Sequence, residues 1–466
     1  MSATNGFDPN ADLRAKRALV YSLGKEGQDM AAWLVARGAR VTMSDTRSEQ
    51  QLAAAKVHVP AGVERVYTGQ PLLDPEGFHL LAVSQSILRH DPALARARQL
   101  GVPITSQAKL FLQLCRGLVV GITGSSGKST TTALVAAMAK AAGIDAVVGG
   151  NIGEPLLARL GEIQPTTTVI LEISHTQLQY TDRSPQIAAV TNITPNHLDQ
   201  FSWDQYVGLK RNILAYQSSS DTAILNADDP TSRTLLTGVR GQLVQASTRD
   251  RVPGDGAWCE ANAVFVRRGL STALIVKRED LQLRGQHNLA NVTMAAAIAS
   301  VAAIPVPAIQ EAAASFTGVA HRLELVGFAD GAAWVNDSIA TTPERTVAGL
   351  LSFEEPVVLL LGGRDKNLPL DKLQDVVRER CRAVVCFGEA GPLYFGALRG
   401  TAKQVELTFS LPDAVAIGRR FAKPGDVVLL SPAGTSFDAY PNFEARGEAF
   451  RQAVRGLPGF ALEVPS

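Results

Sequence analysis

Apolar runs of strand length alternate with helix-period patterns along almost the whole chain, and few architectures accept that alternation. ALVYSL (18–23) is followed by Gly24 and Gly27, by QDMAAWLVARG, and then by VTMSD (41–45). LVVGIT (118–123) runs through a Gly- and Ser-rich turn into TTALVAAMAKAAG. TTVILEIS (167–174), IAAVTNIT (187–194), TAILN (222–226), VVLLLGG (357–363), AVVCFG (383–388) and DVVLLSPAG (426–434) continue the theme. Strands apolar on both faces and spaced by helices predict an α/β fold built on parallel sheets. The pattern falls into three blocks, which sets expected domains at 1–114, 115–318 and 319–466. TRDRVPGDGAW (248–258) reads as a loop interrupting the middle block. VTMAAAIASVAAIPVPAI (292–309) is Ala-rich, carries Thr and Ser and ends in prolines, so a buried helix is expected there and not a membrane span.

Composition narrows the function classes. Of 466 residues, 45 are Lys or Arg and 44 Asp or Glu, which gives no general attraction to nucleic acid or an anionic membrane. An anionic ligand must be held by local groups. The four cysteines, Cys115, Cys259, Cys381 and Cys386, lack metal-site spacing and read as free thiols of a reducing compartment. MSATNGFDPNADLRAK has no apolar core of a secretory signal, so a cytoplasmic protein is expected.

GITGSSGKSTTTAL (121–134) is the chemical signal in the middle block. A strand runs into a glycine turn and a helix opening with Lys128, Ser129 and Thr130. Backbone N–H groups of Gly124, Ser125, Ser126 and Gly127 and the helix N-terminus suit phosphates, and Lys128 adds positive charge. The usual phosphate loop would have glycine at Ile122, so the spacing is off by one. Ser129 has the hydroxyl for Mg2+. Glu172 ends a strand, where an acidic metal ligand of a nucleotide triphosphatase sits, and His197 follows the next strand-like run. In the first block, SLGKEG with Asp45 about 20 residues on echoes a dinucleotide fingerprint, but Ser22 replaces the first glycine.

GITGSSGKSTTTAL, GGNIGEPL, LEISHTQLQ, TNITPNHLDQF, GQHNLANVTMAAA, HRLELV, NDSIATT, GGRDK and SPAGTSFDAYPNFEARGEAF occur in the order seen in Mur ligases. The chain resembles that family over nearly its whole length, and the off-by-one loop TGxxGK[ST] is itself a family feature. The resemblance implies a Rossmann-like UDP-binding domain, a central P-loop ATPase domain with a mainly parallel sheet, and a C-terminal Rossmann-like α/β domain for the amino acid. It implies ATP and two Mg2+ as cofactors. UDP-N-acetylmuramoyl-L-alanine and D-glutamate are the implied substrates, and the acid is activated as an acyl phosphate. A monomer is expected.

By the resemblance, Lys128 contacts the β- and γ-phosphates, Ser129 and Glu172 hold one Mg2+, and His197 holds a second. Lys210 matches a lysine that is carbamylated in many members and then acts as a metal ligand; Lys128, His197 and Lys210 are the implied catalytic residues. His287, Asn288 and Asn291 match the stretch near the nucleotide base, and Arg322 and Asp337 the ribose and phosphate contacts. Asp45, Thr46 and Arg47 match the group that reads the uracil end. Asn151, Ser174 and Gln177 match positions facing the muramoyl substrate. Thr341, Lys366, Ser436, Phe437 and Phe443 match the amino-acid site.

Departures cluster in substrate loops. Ile339 stands where a lysine is usual, His175 and Thr176 replace Ser and Phe, VSQSI (83–87) lacks the usual S-P-G, TSQAKLF (105–111) lacks an expected G-E, and SPAGTS replaces SPACAS. The ATPase residues survive. This leaves a related ligase using L-glutamate or another amino acid as the alternative. A sugar-nucleotide-binding protein without catalysis, or an NAD oxidoreductase, accounts for fewer of these residues.

Overall fold

Each strand-length apolar run nucleates one strand, and the strands sort into three sheets. The computed structural model describes residues 7–54, 57–151, 155–196, 200–283 and 285–462. The first sheet holds β1 (Arg17–Tyr21), β2 (Arg40–Asp45), β3 (Arg65–Thr68), β4 (Leu80–Val83) and β5 (Ile104–Ser106) in the order β3-β2-β1-β4-β5, all parallel. The order reverses between β1 and β4, and the crevice beyond their carboxyl ends is the expected ligand position of such a sheet.

The second sheet holds β6 (Leu118–Thr123), β7 (Ala146–Gly150), β8 (Thr168–Glu172), β9 (Ile187–Val190), β10 (Thr222–Asn226), β11 (Gln242–Ser247), β12 (Gly256–Glu260), β13 (Ala263–Arg268) and β14 (Ser271–Lys277). Their order is β14-β13-β12-β11-β10-β9-β6-β8-β7. Neighbours are parallel from β7 to β12. The β12–β13 and β13–β14 pairs are antiparallel. β6, β8 and β9 are almost wholly buried, as the unbroken apolar runs require. The third sheet holds β15 (Glu324–Ala329), β16 (Ala332–Asn336), β17 (Val357–Gly362), β18 (Cys381–Phe387), β19 (Gln404–Leu407) and β20 (Val427–Ala433). Their order is β15-β16-β20-β17-β18-β19, with only β15–β16 antiparallel.

The chain divides into two compact units. The first and second sheets lie in one, which runs to residue 281 and resumes over 287–315; the third sheet lies in the other, formed by 282–286 and 316 onward. Among the described residues, no helix is long and apolar enough to cross a membrane.

Three local expectations change. The loop 248–258 ends in strand, because its last residues, Gly256 to Trp258, pair with β11 and begin the antiparallel edge. The Ala-rich helix is two helices, Gln286–Val301 and Val306–Ser315. The break falls where Ala303 turns left-handed (φ 59°) and Pro305 cannot donate a backbone hydrogen bond. IAAVTNIT ends as strand at Val190, and residues 191–194 peel away toward the phosphate loop.

Candidate active site

β6 and β8 are parallel neighbours with Ile122 opposite Glu172, so the loop after β6 and the carboxylate ending β8 emerge at one sheet edge. The loop Gly124–Gly127 then feeds the helix Lys128–Ala141, whose N-cap Gly127 is left-handed at φ 79°. A Cβ at Gly127 would collide with the Asn291 side-chain oxygen, and one at Gly124 (φ 156°) with the Thr191 hydroxyl. Both positions need glycine for conformation and for room. The first helical N–H groups have no intrahelical acceptor, which makes this turn an anion cradle.

The loop is braced from outside. Asn192 accepts from the Ser125 N–H through its backbone oxygen (2.9 Å) and from the Ser126 N–H through Oδ1 (3.0 Å). Thr191 Oγ1 donates to the Ser126 carbonyl (2.6 Å), and Ser125 Oγ donates to that of Thr194 (2.9 Å). Lys128 Nζ folds back onto the carbonyls of Gly124 (3.1 Å) and Ser125 (3.4 Å). Lys210 Nζ, on the helix Trp203–Ala215, reaches the same Gly124 carbonyl at 2.7 Å and lies 4.9 Å from the centre of the Tyr206 ring. Lys210 is 1% exposed. Burial, then the Lys128 charge, drives its amine well below the ordinary lysine range, against the pull of Glu172.

Glu172 is equally buried. Its Oε1 accepts from Asn151 Nδ2 at 2.9 Å, whereas Oε2 is buried with no hydrogen-bond partner among the described residues. A buried carboxylate oxygen without a donor is costly and suits a cation. Beside an anion cradle and the buried Ser129, this donor set fits Mg2+ carried by a nucleotide triphosphate. Thr130 is buried one residue further along the helix. Asn291 reaches the loop from the helix Gln286–Val301 and donates to Asn288 Oδ1 (3.1 Å), and His287 sits exposed one residue before Asn288. His197 lies outside the described residues.

The first sheet meets this edge through polar side chains. Ser174 caps the short helix His175–Leu178 with Gln177, and Ser174 Oγ also donates to Gln85 Oε1 (2.8 Å). Gln177 Nε2 donates to Glu26 Oε1 (2.8 Å), while Glu26 Oε2 accepts from the Gln85 N–H (2.7 Å). Burial raises the Glu26 carboxyl against those two donors. Asp45 ends β2 and accepts from the Leu23 N–H (2.7 Å) and twice from the Arg47 guanidinium (2.9 and 2.6 Å). Burial raises its carboxyl, but the Arg47 pair and these N–H donors prevail and hold it below the usual range. Thr46 is exposed beside them.

In the second unit the residues gather where three adjacent strands end. Thr341 follows β16, Lys366 follows β17, and Ser436 and Phe437 follow β20, the strand between them. Lys366 Nζ donates to Thr341 Oγ1 at 3.4 Å. Ser436 is buried, Phe437 is 63% exposed, and half-buried Phe443 opens the helix Phe443–Arg455. Arg322 is half-buried. Asp337 is buried and accepts from the Ser431 hydroxyl (2.9 Å) and the Leu323 N–H (3.3 Å).

Sequence reading missed two groups of residues. Thr191 and Asn192 brace the phosphate loop. Arg446, wholly buried, donates to Ser338 Oγ (3.0 Å), the Ser338 carbonyl (2.8 Å) and the Gly434 carbonyl (3.1 Å), tying the loops after β16 and β20. Its place in NFEARG carries no local signal of that role.

The model of the Mur ligase middle domain matches residues 122–299, and that of the Mur ligase, glutamate ligase domain matches 321–434. A UDP-N-acetylmuramoylalanine–D-glutamate ligase of Symbiobacterium thermophilum is 40% identical over 447 residues, 95% of this chain and 98% of that protein. A ligase of the same name from Acetivibrio thermocellus is 36% identical, covering 96% and 97% of the two chains. Among solved structures, a UDP-N-acetylmuramate-alanine ligase of Thermotoga maritima aligns with TM-score 0.56 at 18% identity over 94% of this chain and 99% of its own. A pseudomurein peptide ligase of Methanothermus fervidus aligns with TM-score 0.54 at 16% identity, over the same shares of the two chains. These two likenesses concern the fold.

Proposed function

The chain belongs to the Mur ligase family, and from that premise we propose that it joins D-glutamate to UDP-N-acetylmuramoyl-L-alanine with cleavage of ATP, in cytoplasmic peptidoglycan precursor synthesis. The reaction is amide-bond formation through an acyl phosphate. A carboxylate is a poor electrophile because its leaving group would be oxide. Transfer of the ATP γ-phosphoryl group supplies a good leaving group, and the neutral amine of glutamate then displaces phosphate.

We assign residues 1–114 to the UDP-substrate, 115–318 to ATP and 319–466 to the amino acid, in a monomer. Gly124 to Thr130 cradle the phosphates. Lys128 exchanges the Gly124 and Ser125 carbonyls for phosphate oxygens and offsets charge during transfer. Ser129 and Glu172 would hold one Mg2+, and His197 with Lys210 would hold a second; Mg2+ when bound would neutralise charge on the phosphoryl group. Burial favours the neutral form of the Lys210 amine, which is also the form that adds to CO2. Its lone pair attacks carbon, an N–C bond forms, one C–O π pair moves to oxygen, and the nitrogen releases a proton. The product is an anionic carbamate suited to a metal. Asn288, Asn291, Arg322 and Asp337 are assigned to the nucleotide. Asp45, Thr46 and Arg47 are assigned to uracil, and Asn151, Ser174 and Gln177 to the muramoyl arm. Thr341, Lys366, Ser436, Phe437 and Phe443 are assigned to glutamate.

The observation that carries the ATP chemistry is the buried, donorless Glu172 oxygen beside a glycine loop on which two lysines converge. The test is phosphate release from ATP with UDP-N-acetylmuramoyl-L-alanine and D-glutamate, L-glutamate or no amino acid, with the product mass confirmed. Stimulation by D-glutamate with the matching product is expected. Stimulation by L-glutamate alone would move the substrate to the alternative ligase, and no phosphate release in any arm would overturn the reading.

A further inference from the structure

Glutamate brings two carboxylates to its site, and Lys366 is one cation. Where the D-glutamate-adding members of the family usually carry a second lysine, this chain has Ile339, which is apolar. The structure shows another cation at that spot. Arg345, in the first turn of the helix Pro343–Leu350, donates from Nη1 to the backbone carbonyl of Ile339 at 3.3 Å. That bond holds the guanidinium against the loop carrying Thr341, whose hydroxyl accepts from Lys366 Nζ. Arg345 is exposed, and among the described residues the other N–H groups of its guanidinium make no hydrogen bond.

Arg345 senses the buried Asp337 carboxyl, which keeps its proton up to about pH 7, and takes no ion pair from it. Among the described residues, neither Arg345 nor Lys366 is ion-paired with a carboxylate. Arg364, next in the loop, is already paired with Glu389 (2.9 Å). Asp337 is buried and engaged by Ser431 and Leu323. Asp365 accepts from the Asn367 N–H and the Tyr394 hydroxyl. The Lys366 amine is lowered by partial burial and then by the Arg345 charge, so the two cations sense each other. Two neighbouring like charges, neither ion-paired with a carboxylate among the described residues, favour the arrival of an anion.

We propose that Arg345 is a substrate-binding residue: its guanidinium takes one carboxylate of the amino acid while Lys366 takes the other, supplying the charge that Ile339 lacks. A guanidinium binds a carboxylate through two parallel N–H bonds, which sets orientation as well as charge. The proposal rests on the third-sheet loops being the amino-acid site.

The test is steady-state kinetics on the wild type, Arg345→Gln, and Arg345→Gln combined with Ile339→Lys. Loss of one charge-assisted contact predicts that Arg345→Gln raises the KM for D-glutamate about 10–100-fold. The KM values for ATP and the UDP-substrate should stay within about twofold. The double variant should recover most of the lost affinity, because a lysine at 339 restores the cation. A KM for D-glutamate unchanged in Arg345→Gln would overturn the proposal. So would a uniform rise of all three KM values with a lower melting temperature, which marks a structural role. A wild type that ignores D-glutamate would instead overturn the substrate reading, so the two failures fall in different rows of the same experiment.

Discussion

At the scale of single residues, the chain spends conformational strain where it needs an opening. Ser22 stands where a dinucleotide fingerprint has glycine, and it still adopts φ 86°. A left-handed L-residue costs roughly 1–2 kcal/mol. The Ser22 hydroxyl offsets part of this by accepting from the Gly24 N–H at 3.1 Å. Gly27 could not be exchanged in the same way, since a Cβ there would strike the Ser22 carbonyl. The sequence therefore announced a glycine turn through Gly24 and Gly27 but hid that Ser22 bends like a glycine. Lys210 shows the opposite case. Its place on an amphipathic helix reads as an ordinary surface lysine, and only packing reveals a buried amine on the Gly124 carbonyl. Replacing it by alanine should cut ligase activity at least ~100-fold by removing a charge-positioning group, with partial recovery in bicarbonate or a short carboxylic acid. Under 13C-labelled CO2, the wild type should show a carbamate carbon resonance absent from Lys210→Ala. No such resonance and no rescue would leave the lysine an amine in function.

At the scale of elements, strand ends decide the chemistry. The runs LVVGIT and TAILN became strands with the expected bounds, because unbroken apolar pattern is a local signal. The antiparallel edge β12–β14 was less legible, since strand direction depends on pairing between segments. The loop 191–194 was read as strand because Thr and Ile favour strands; its bonds to the phosphate loop won over that propensity. Asp337 illustrates a cost at a strand end. It joins the end of β16 to Ser431 in β20, and burial lifts its carboxyl to about 7 against the Ser431 hydroxyl, Arg322, the Leu323 N–H and Arg345. An unfolded chain releases that proton near pH ~4. Between those values the native state holds a proton the unfolded chain has lost, so this group's contribution to stability is fullest below pH ~4 and falls as pH rises through 7. Asp337→Asn removes the titration. In urea unfolding, the variant should gain on the wild type by on the order of 2 kcal/mol between pH 5 and pH 8. Parallel pH curves would refute a buried titrating carboxyl here.

At the scale of the whole molecule, three sheets offer three carboxyl edges, and each carries its own class of candidate residue. That division was legible early, because glycine turns and polar residues recur just after apolar runs. What could not be read was the wiring within the first unit, where Glu26, Gln85, Ser174 and Gln177 connect the first sheet to the second. None of those bonds uses Lys128, which folds onto carbonyls of its own loop. Asp45 and Arg47 likewise satisfy each other on the first sheet. Removing the Lys128 charge should therefore leave the sugar-nucleotide site standing. Lys128→Ala is expected to bind UDP-N-acetylmuramoyl-L-alanine within about threefold of the wild type, a change below ~1 kcal/mol. Phosphate release should fall at least ~100-fold, because the lysine offsets charge that grows during transfer. Calorimetric titration with the UDP-substrate and rapid-quench trapping of the acyl phosphate measure the two effects separately. Turnover near the wild-type rate would remove the glycine loop from the mechanism. Loss of both functions together would mean that the phosphate loop also shapes the first sheet's edge, through Ser174 and Gln177, which follow β8 and bond to Gln85 and Glu26.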